Sequence, residues 1–151
     1  MTRYPRLADL SALVGQTLGT SDWLRVDQPR IDQFAQATGD HQWIHVDPQR
    51  AAEGPFGATV AHGFLTLSLV PLLSEQSFAI DDVRMGINYG LNRVRFPAPL
   101  RVNGRVRGVF VLRAFEPLPE GGAQLVVEAT VELEGSTKPV CVAESVTRRY
   151  I

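Results

Sequence analysis

Cysteine is almost missing from this chain. Cys141 stands alone, so no internal disulfide can form, and a cysteine-based metal site is not expected. In "VCVAES" it reads as a strand residue that packs rather than reacts. Lysine is equally scarce: Lys138 is the only one, and arginine supplies the other cations. The basic residues are scattered and the formal net charge is −1, so the electrostatic stripe of a nucleic-acid binder is missing. No apolar run approaches the ~20 residues of a membrane span; the longest is "GFLTLSLVPLL" at 63–73. The stretch "MTRYPRLADL" lacks the apolar core and cleavage-like site of a secretion signal, so a cytoplasmic location is expected. Several kinds of chemistry are missing too. There is no glycine-rich phosphate loop, no G-x-S-x-G elbow and no H-E-x-x-H pair.

What is present suits one globular domain spanning residues 1–151, with 44% hydrophobic residues to build a core. A short helix is expected over Leu7–Val14, stopping at Gly15, then a strand through "SDWLRVD". Asp27 caps a second helix with Pro29 in its first turn; Ile31, Phe34, Ala35 and Thr38 recur at helical spacing, and Gly39 ends it. Asp47-Pro48 starts a further short helix, and "PFGATVAHG" reads as a loop. Gly63 to about Phe78 is apolar nearly all round, which predicts a buried helix kinked at Pro71. Beyond it the period becomes two. Leu125, Val127, Ala129, Val131 and Leu133 share one face of a strand, and Glu128, Thr130, Glu132 and Glu134 the other. "GRVRGVFVLRAF" and "VCVAESVTRRY" are long enough to pair with it, and "EGG" at 120–122 supplies a hairpin turn. "MGINYGLNRVRF" adds one or two strands interrupted at Gly90. Four or five antiparallel strands wrapped around one apolar helix satisfy both patterns, which makes the fold class α+β.

The titratable residues crowd into "FAQATGDHQWIHVDP" at 34–48. Asp40 and His45 would diverge on a continuous helix, but Gly39 breaks the helix and a turn can bring them together. Taken separately, Asp40 is a turn cap and His45 the start of a strand. "AHGFLTLS" places His62 and Gly63 at the start of the apolar helix, where unpaired N–H groups can stabilise negative charge on a carbonyl oxygen. His41, His45 and His62 are too few and too irregularly spaced to announce a metal site.

"FAQATGDHQWIHVDPQRAA" followed by "VAHGF" resembles the signature of the MaoC-like, R-specific enoyl-CoA hydratases, the hydratase 2 family. The match rests on F-A-x-x-T-G-D, a histidine five residues past the aspartate, the D-P after it and the later H-G. "INYGLNRVRFPAPLRVNGRVR" resembles the family's segment after the helix. The resemblance implies a hot-dog fold: a long central helix wrapped by a curved antiparallel sheet, usually dimeric. It implies that Asp40 and His45 hold a water that adds across the double bond of a trans-2-enoyl thioester, and that the Gly63 N–H binds the thioester oxygen.

The family's usual Asn-Pro is Gln42-Trp43 here. Gln42 is carried over as a residue orienting substrate or water, and Trp43 either packs or lines an acyl tunnel. His62, Arg93 and Arg95 complete the substrate-binding candidates, the arginines as partners for coenzyme A phosphates. The expected substrate is an acyl-CoA thioester, or the same acyl group on acyl carrier protein; coenzyme A enters as part of the substrate, and neither a cofactor nor a metal is expected. The expected assembly is a homodimer. Two other readings stay open: an acyl-thioester hydrolase on the same scaffold, for which Glu75 is the only carboxylate on the central helix, and a non-catalytic thioester-binding subunit.

Overall fold

The computed structural model describes residues 1–151. Strand β1 (Thr2–Tyr4) is followed by a 3₁₀ helix over Leu7–Leu13, which ends before Gly15 at φ +89°. Two short strands, β2 (Thr17–Thr20) and β3 (Leu24–Arg25), take the place of the single strand expected through 21–27. The chain leaves the sheet at Ser21, whose hydroxyl accepts the Gly108 N–H, and this interrupts the pairing. Helix α1 (Gln28–Thr38) follows the sequence closely. The Asp27 carboxylate accepts the Arg30 N–H, Ile31 and Ala35 are buried, and Gly39 closes the helix at φ +80°.

Two short helices come next, α2 (Trp43–Val46) and α3 (Pro48–Ala52), the second capped by Asp47. His45 therefore lies in a helical turn and does not begin a strand. The central helix is α4 (Gly63–Ser68) continued by α5 (Val70–Ser77). Pro71 breaks the regular ladder, yet Leu69 bridges it: its N–H reaches Leu65, and its carbonyl accepts Leu73. Phe78 leaves the helix for β4 (Phe78–Ile80), which pairs in parallel with β1, a small sheet that the sequence pattern did not suggest.

Four long strands complete the chain: β5 (Met85–Arg95), β6 (Arg105–Pro117), β7 (Ala123–Leu133) and β8 (Cys141–Tyr150). The main sheet runs β2-β6-β7-β8-β5, antiparallel throughout, with β3 also on β6. Gly90 does not split β5. The strand continues through it with register shifts at Asn88/Gly90 and Leu91/Arg93. On β7, Leu125, Val127, Ala129 and Val131 are buried against the helix. Outside, Glu128, Glu132 and Glu134 meet Arg113, Arg107 and Arg105 across the strands, exposed pairs worth little each. This helix held in a curved sheet is the hot-dog fold.

In one respect the helix departs from expectation. Leu65, Leu69, Val70 and Leu73 are buried, but Phe64 is 67% exposed and Pro71 is also exposed. The sheet covers only part of the cylinder, and the face left open adjoins β5, which is exposed along nearly its whole length.

Close packing of strand on helix explains Gly19. A Cβ there would stand 2.6 Å from the Ser77 carbonyl oxygen, so β2 passes the end of α5 only because residue 19 has no side chain. Gly19→Val is expected to lower stability by about 1–3 kcal/mol, measured by urea unfolding; an unchanged midpoint would refute this packing.

Candidate active site

The site is assembled where α1 stops and α4 begins. Gly39 turns the chain so that Asp40 projects from the helix end, with one carboxylate oxygen (Oδ1) accepting the Gln42 N–H at 3.3 Å. The next turn, α2, presents His45, which is 7% exposed. Its Nδ1–H donates to the Val60 carbonyl at 2.6 Å. A carbonyl oxygen can only accept, so this bond fixes the tautomer and leaves Nε2 with its lone pair free.

The acceptor is itself held firmly. The Val60 N–H bonds to Ile44, the Ala61 N–H to Leu100, and residue 60 bridges to Arg101. Gln28, in the first turn of α1, reaches over to the same region. Its side-chain amide donates to the His45 carbonyl at 2.8 Å and its oxygen accepts the Thr59 hydroxyl.

His62 completes the cluster from the opposite side. Its Nε2–H donates to the backbone carbonyl of Asp40 at 2.9 Å, which ties the start of the central helix to the end of α1. The ring stacks on His45 at 3.8 Å between centroids, and Phe34 is tilted against it at 4.9 Å. One ligand-type atom from each of Asp40, His45 and His62 lies within 4.8 Å of the others. The sequence spacing concealed this trio, because His62 arrives from 22 residues away. A metal ion would bind these groups awkwardly. Two imidazoles stacked at 3.8 Å with 24° between planes cannot both aim in-plane lone pairs at one ion about 2.1 Å from each nitrogen. One shared water asks for no such convergence.

Burial pushes the His45 imidazole below its ordinary value of 6.5, and the nearby His62 adds to the effect; the Val60 bond and Asp40 act the other way. His45 is therefore neutral at neutral pH, with Nε2 available as a base. Gly63, the first residue of α4, has no backbone acceptor for its N–H. A Cβ on Gly63 would meet the Phe96 ring at 3.0 Å, so that ring lies directly on the helix start.

The remaining sequence candidates are placed elsewhere. Trp43 is half-buried, packed against Gly54 with the Arg50 guanidinium 4.3 Å over its ring. The Gln42 side chain is exposed. Arg93 and Arg95 stand on exposed β5; Arg93 lies opposite Glu144, and Arg95 donates to the Val94 carbonyl at 2.7 Å. Sequence reasoning missed Gln28, Thr59 and Phe96, and it read Phe34 as part of the signature without its contact to His62. A glutamine in a first turn carries no signal of what it touches.

The chain belongs to the MaoC-like domain family, whose model matches residues 9–135. Among its relatives, 3-hydroxyacyl-thioester dehydratase Z of Mycobacterium tuberculosis is 54% identical over 148 residues, 98% of each chain. Nodulation protein N of Rhizobium leguminosarum is 50% identical, covering 93% of this chain and 89% of that protein. Two solved structures share the fold. The unliganded R-hydratase PhaJ1 of Pseudomonas aeruginosa has a TM-score of 0.72 at 20% identity, covering 97% of this chain and 86% of that one. The (R)-hydratase of A. caviae has a TM-score of 0.70 at 23% identity, covering 89% and 94%.

The depressed His45 pKa has a kinetic consequence. If neutral His45 is required, activity is lost only as pH falls through its folded pKa. The acid limb of kcat/KM is therefore expected below pH 6.5, as a pH profile on an enoyl thioester would show. A limb at or above that value would mean His45 is not the base.

Proposed function

We propose that this protein interconverts trans-2-enoyl thioesters and (R)-3-hydroxyacyl thioesters by adding or removing water, with Asp40 and His45 sharing the water. The observation that carries this reading is the paired placement of an exposed carboxylate and a buried imidazole whose free nitrogen is fixed by the Val60 carbonyl. A 3-hydroxyacyl-thioester dehydratase at 54% identity supports the reaction class.

In the hydration direction, Asp40 orients the water and His45 Nε2 accepts one of its protons as the oxygen bonds to the β-carbon. The electron pair of the double bond moves toward the thioester carbonyl, where the Gly63 N–H stabilises the enolate oxygen. The proton on His45 then passes to the α-carbon, so one water has been added and the base is regenerated. Stacking against His62 keeps the imidazole in plane through both transfers. The steps are an addition and two proton transfers, and as proposed they draw on no metal or organic cofactor. Arg93 and Arg95 are the candidates for the coenzyme A phosphates; the chemistry at the double bond is the same for an acyl group on coenzyme A or on acyl carrier protein.

We also propose a homodimer formed along β5. This edge strand leaves Met85, Ile87, Tyr89 and Leu91 each more than 40% exposed, beside Phe64 at 67% and Phe96 at 41%. Such a long, apolar free edge is an aggregation hazard unless covered, and a second copy offers the same edge for antiparallel pairing.

Asp40→Asn and His45→Ala are each expected to fold and to lose at least ~10²-fold in hydration rate, followed as the loss of enoyl absorbance with crotonyl-CoA. Native rates in either variant would overturn the assignment, and free thiol release in place of hydration would favour thioester hydrolysis. By light scattering, the protein is expected at twice its 16.6 kDa chain mass, with Ile87→Lys shifting it toward one chain; a monomer with full activity would refute the β5 interface.

A further inference from the structure

A cavity lies between the central helix and the strands β5, β7 and β8. It encloses about 380 Å³, starts at Leu67, one turn past Gly63, and extends to Ser74 and Glu75. At about 1.5 Å per helical residue, Leu67 to Glu75 spans roughly 12 Å, which is room for the distal part of an acyl chain laid along the helix. Most of its wall is apolar, from Leu67 and Val70 to Phe110 and Val127.

The far corner is different. Alternation along β8 puts Cys141 and Ala143 on the inner face, and continuing it places Ser145, Thr147 and Arg149 there, where a core strand would carry valine or leucine. Opposite them, β5 contributes Gly86, Asn88 and Gly90. The Arg149 guanidinium lies over Gly86 and occupies the space a Cβ would need, while a Cβ on Gly90 would meet nothing.

Two polar atoms in this corner are buried with no hydrogen-bond partner: Arg149 Nε and Thr147 Oγ1, the latter on a residue only 7% exposed. Arg149 makes no ion pair. Glu75 lines the same end of the cavity and favours the charged guanidinium, but stays beyond ion-pairing distance and is exposed. A buried donor normally has an acceptor, because leaving it without one is costly, and the Nε of the partly exposed Arg149 has none. A cavity that breaks the inside-apolar rule at one corner, and leaves that corner's donors unused, is shaped for something that arrives there.

We propose that this corner selects acyl thioesters whose chain ends in a carboxylate, held by the Arg149 guanidinium and the Thr147 hydroxyl. The inference rests on the hydratase reading, since the thioester must lie at Gly63 for its tail to follow the helix. A carboxylate matches the guanidinium fork in charge and geometry and supplies the acceptors that Arg149 and Thr147 lack. A methyl terminus would leave both unsatisfied.

The test compares medium-length enoyl-CoAs of matched length ending in methyl, hydroxyl or carboxylate. In the wild-type protein, kcat/KM is expected to favour the carboxylate over the methyl terminus by about tenfold or more. Arg149→Met should reverse that order while keeping crotonyl-CoA turnover, because so short a chain does not reach the corner. It should not lower the melting temperature, since it removes a buried donor that has no acceptor; Thr147→Val should reduce the preference in part. A wild-type preference for the methyl terminus, or equal rates for hydroxyl and carboxylate, would overturn the proposal. So would an Arg149→Met protein that loses its oligomeric state or melts lower with its preference intact, since Arg149 would then serve the assembly. If crotonyl-CoA itself is not turned over, the hydratase reading fails, and calorimetric binding of the matched saturated thioesters decides the corner separately by the same order of preference.

Discussion

The hydrogen bond from His45 Nδ1 to the Val60 carbonyl is the constraint on which the site depends. Without it the imidazole has two tautomers and a free rotor, and the base nitrogen has no fixed address. With it, the lone pair stays on Nε2. The bond is meaningful only because its acceptor cannot retreat: Val60 and Ala61 are pinned by Ile44 and Leu100, and Gln28 ties α1 to both Thr59 and the His45 carbonyl. The proposed catalytic pair, carried on two short turns, is thereby given the rigidity of the core beneath it.

Burial and charge act together at this point. Desolvation of His45 opposes its protonation, and the stacked His62 opposes it further, so the ring is a neutral base before any substrate arrives. Asp40 remains exposed at the surface. The two groups thus have contrasting surroundings, which fits the proposed division of roles, with the imidazole exchanging the proton and the carboxylate orienting the water.

Much of this was legible in the sequence, and the reasons are specific. Asp27, Gly39 and Asp47 act through local backbone geometry, so α1 and α3 could be read from caps and stops, whereas α2, which carries His45, could not. The alternation of β7 is a two-residue period imposed by one buried face, so that strand was legible as well. What stayed hidden depends on distant contacts. His62 joins Asp40 and His45 through the fold, Gln28 and Phe34 look ordinary on their own helix, and the parallel pairing of β1 with β4 joins segments more than seventy residues apart. The helix was expected to be buried all round, but its apolar residues exceed what one sheet covers. The excess faces the open edge at β5. Arg149 was invisible for the opposite reason: a basic residue near a strand end reads as solvated unless the register turns it inward.

The central claim is that His45 is held as the neutral Nδ1–H tautomer with Nε2 bare. Nitrogen NMR of the protein with ¹⁵N-labelled histidine tests this directly at neutral pH. The account predicts a protonated Nδ1 and an unprotonated Nε2 for His45, with the ring charging only below pH 6.5. An Nε2–H tautomer, or an imidazolium already formed at neutral pH, would contradict it.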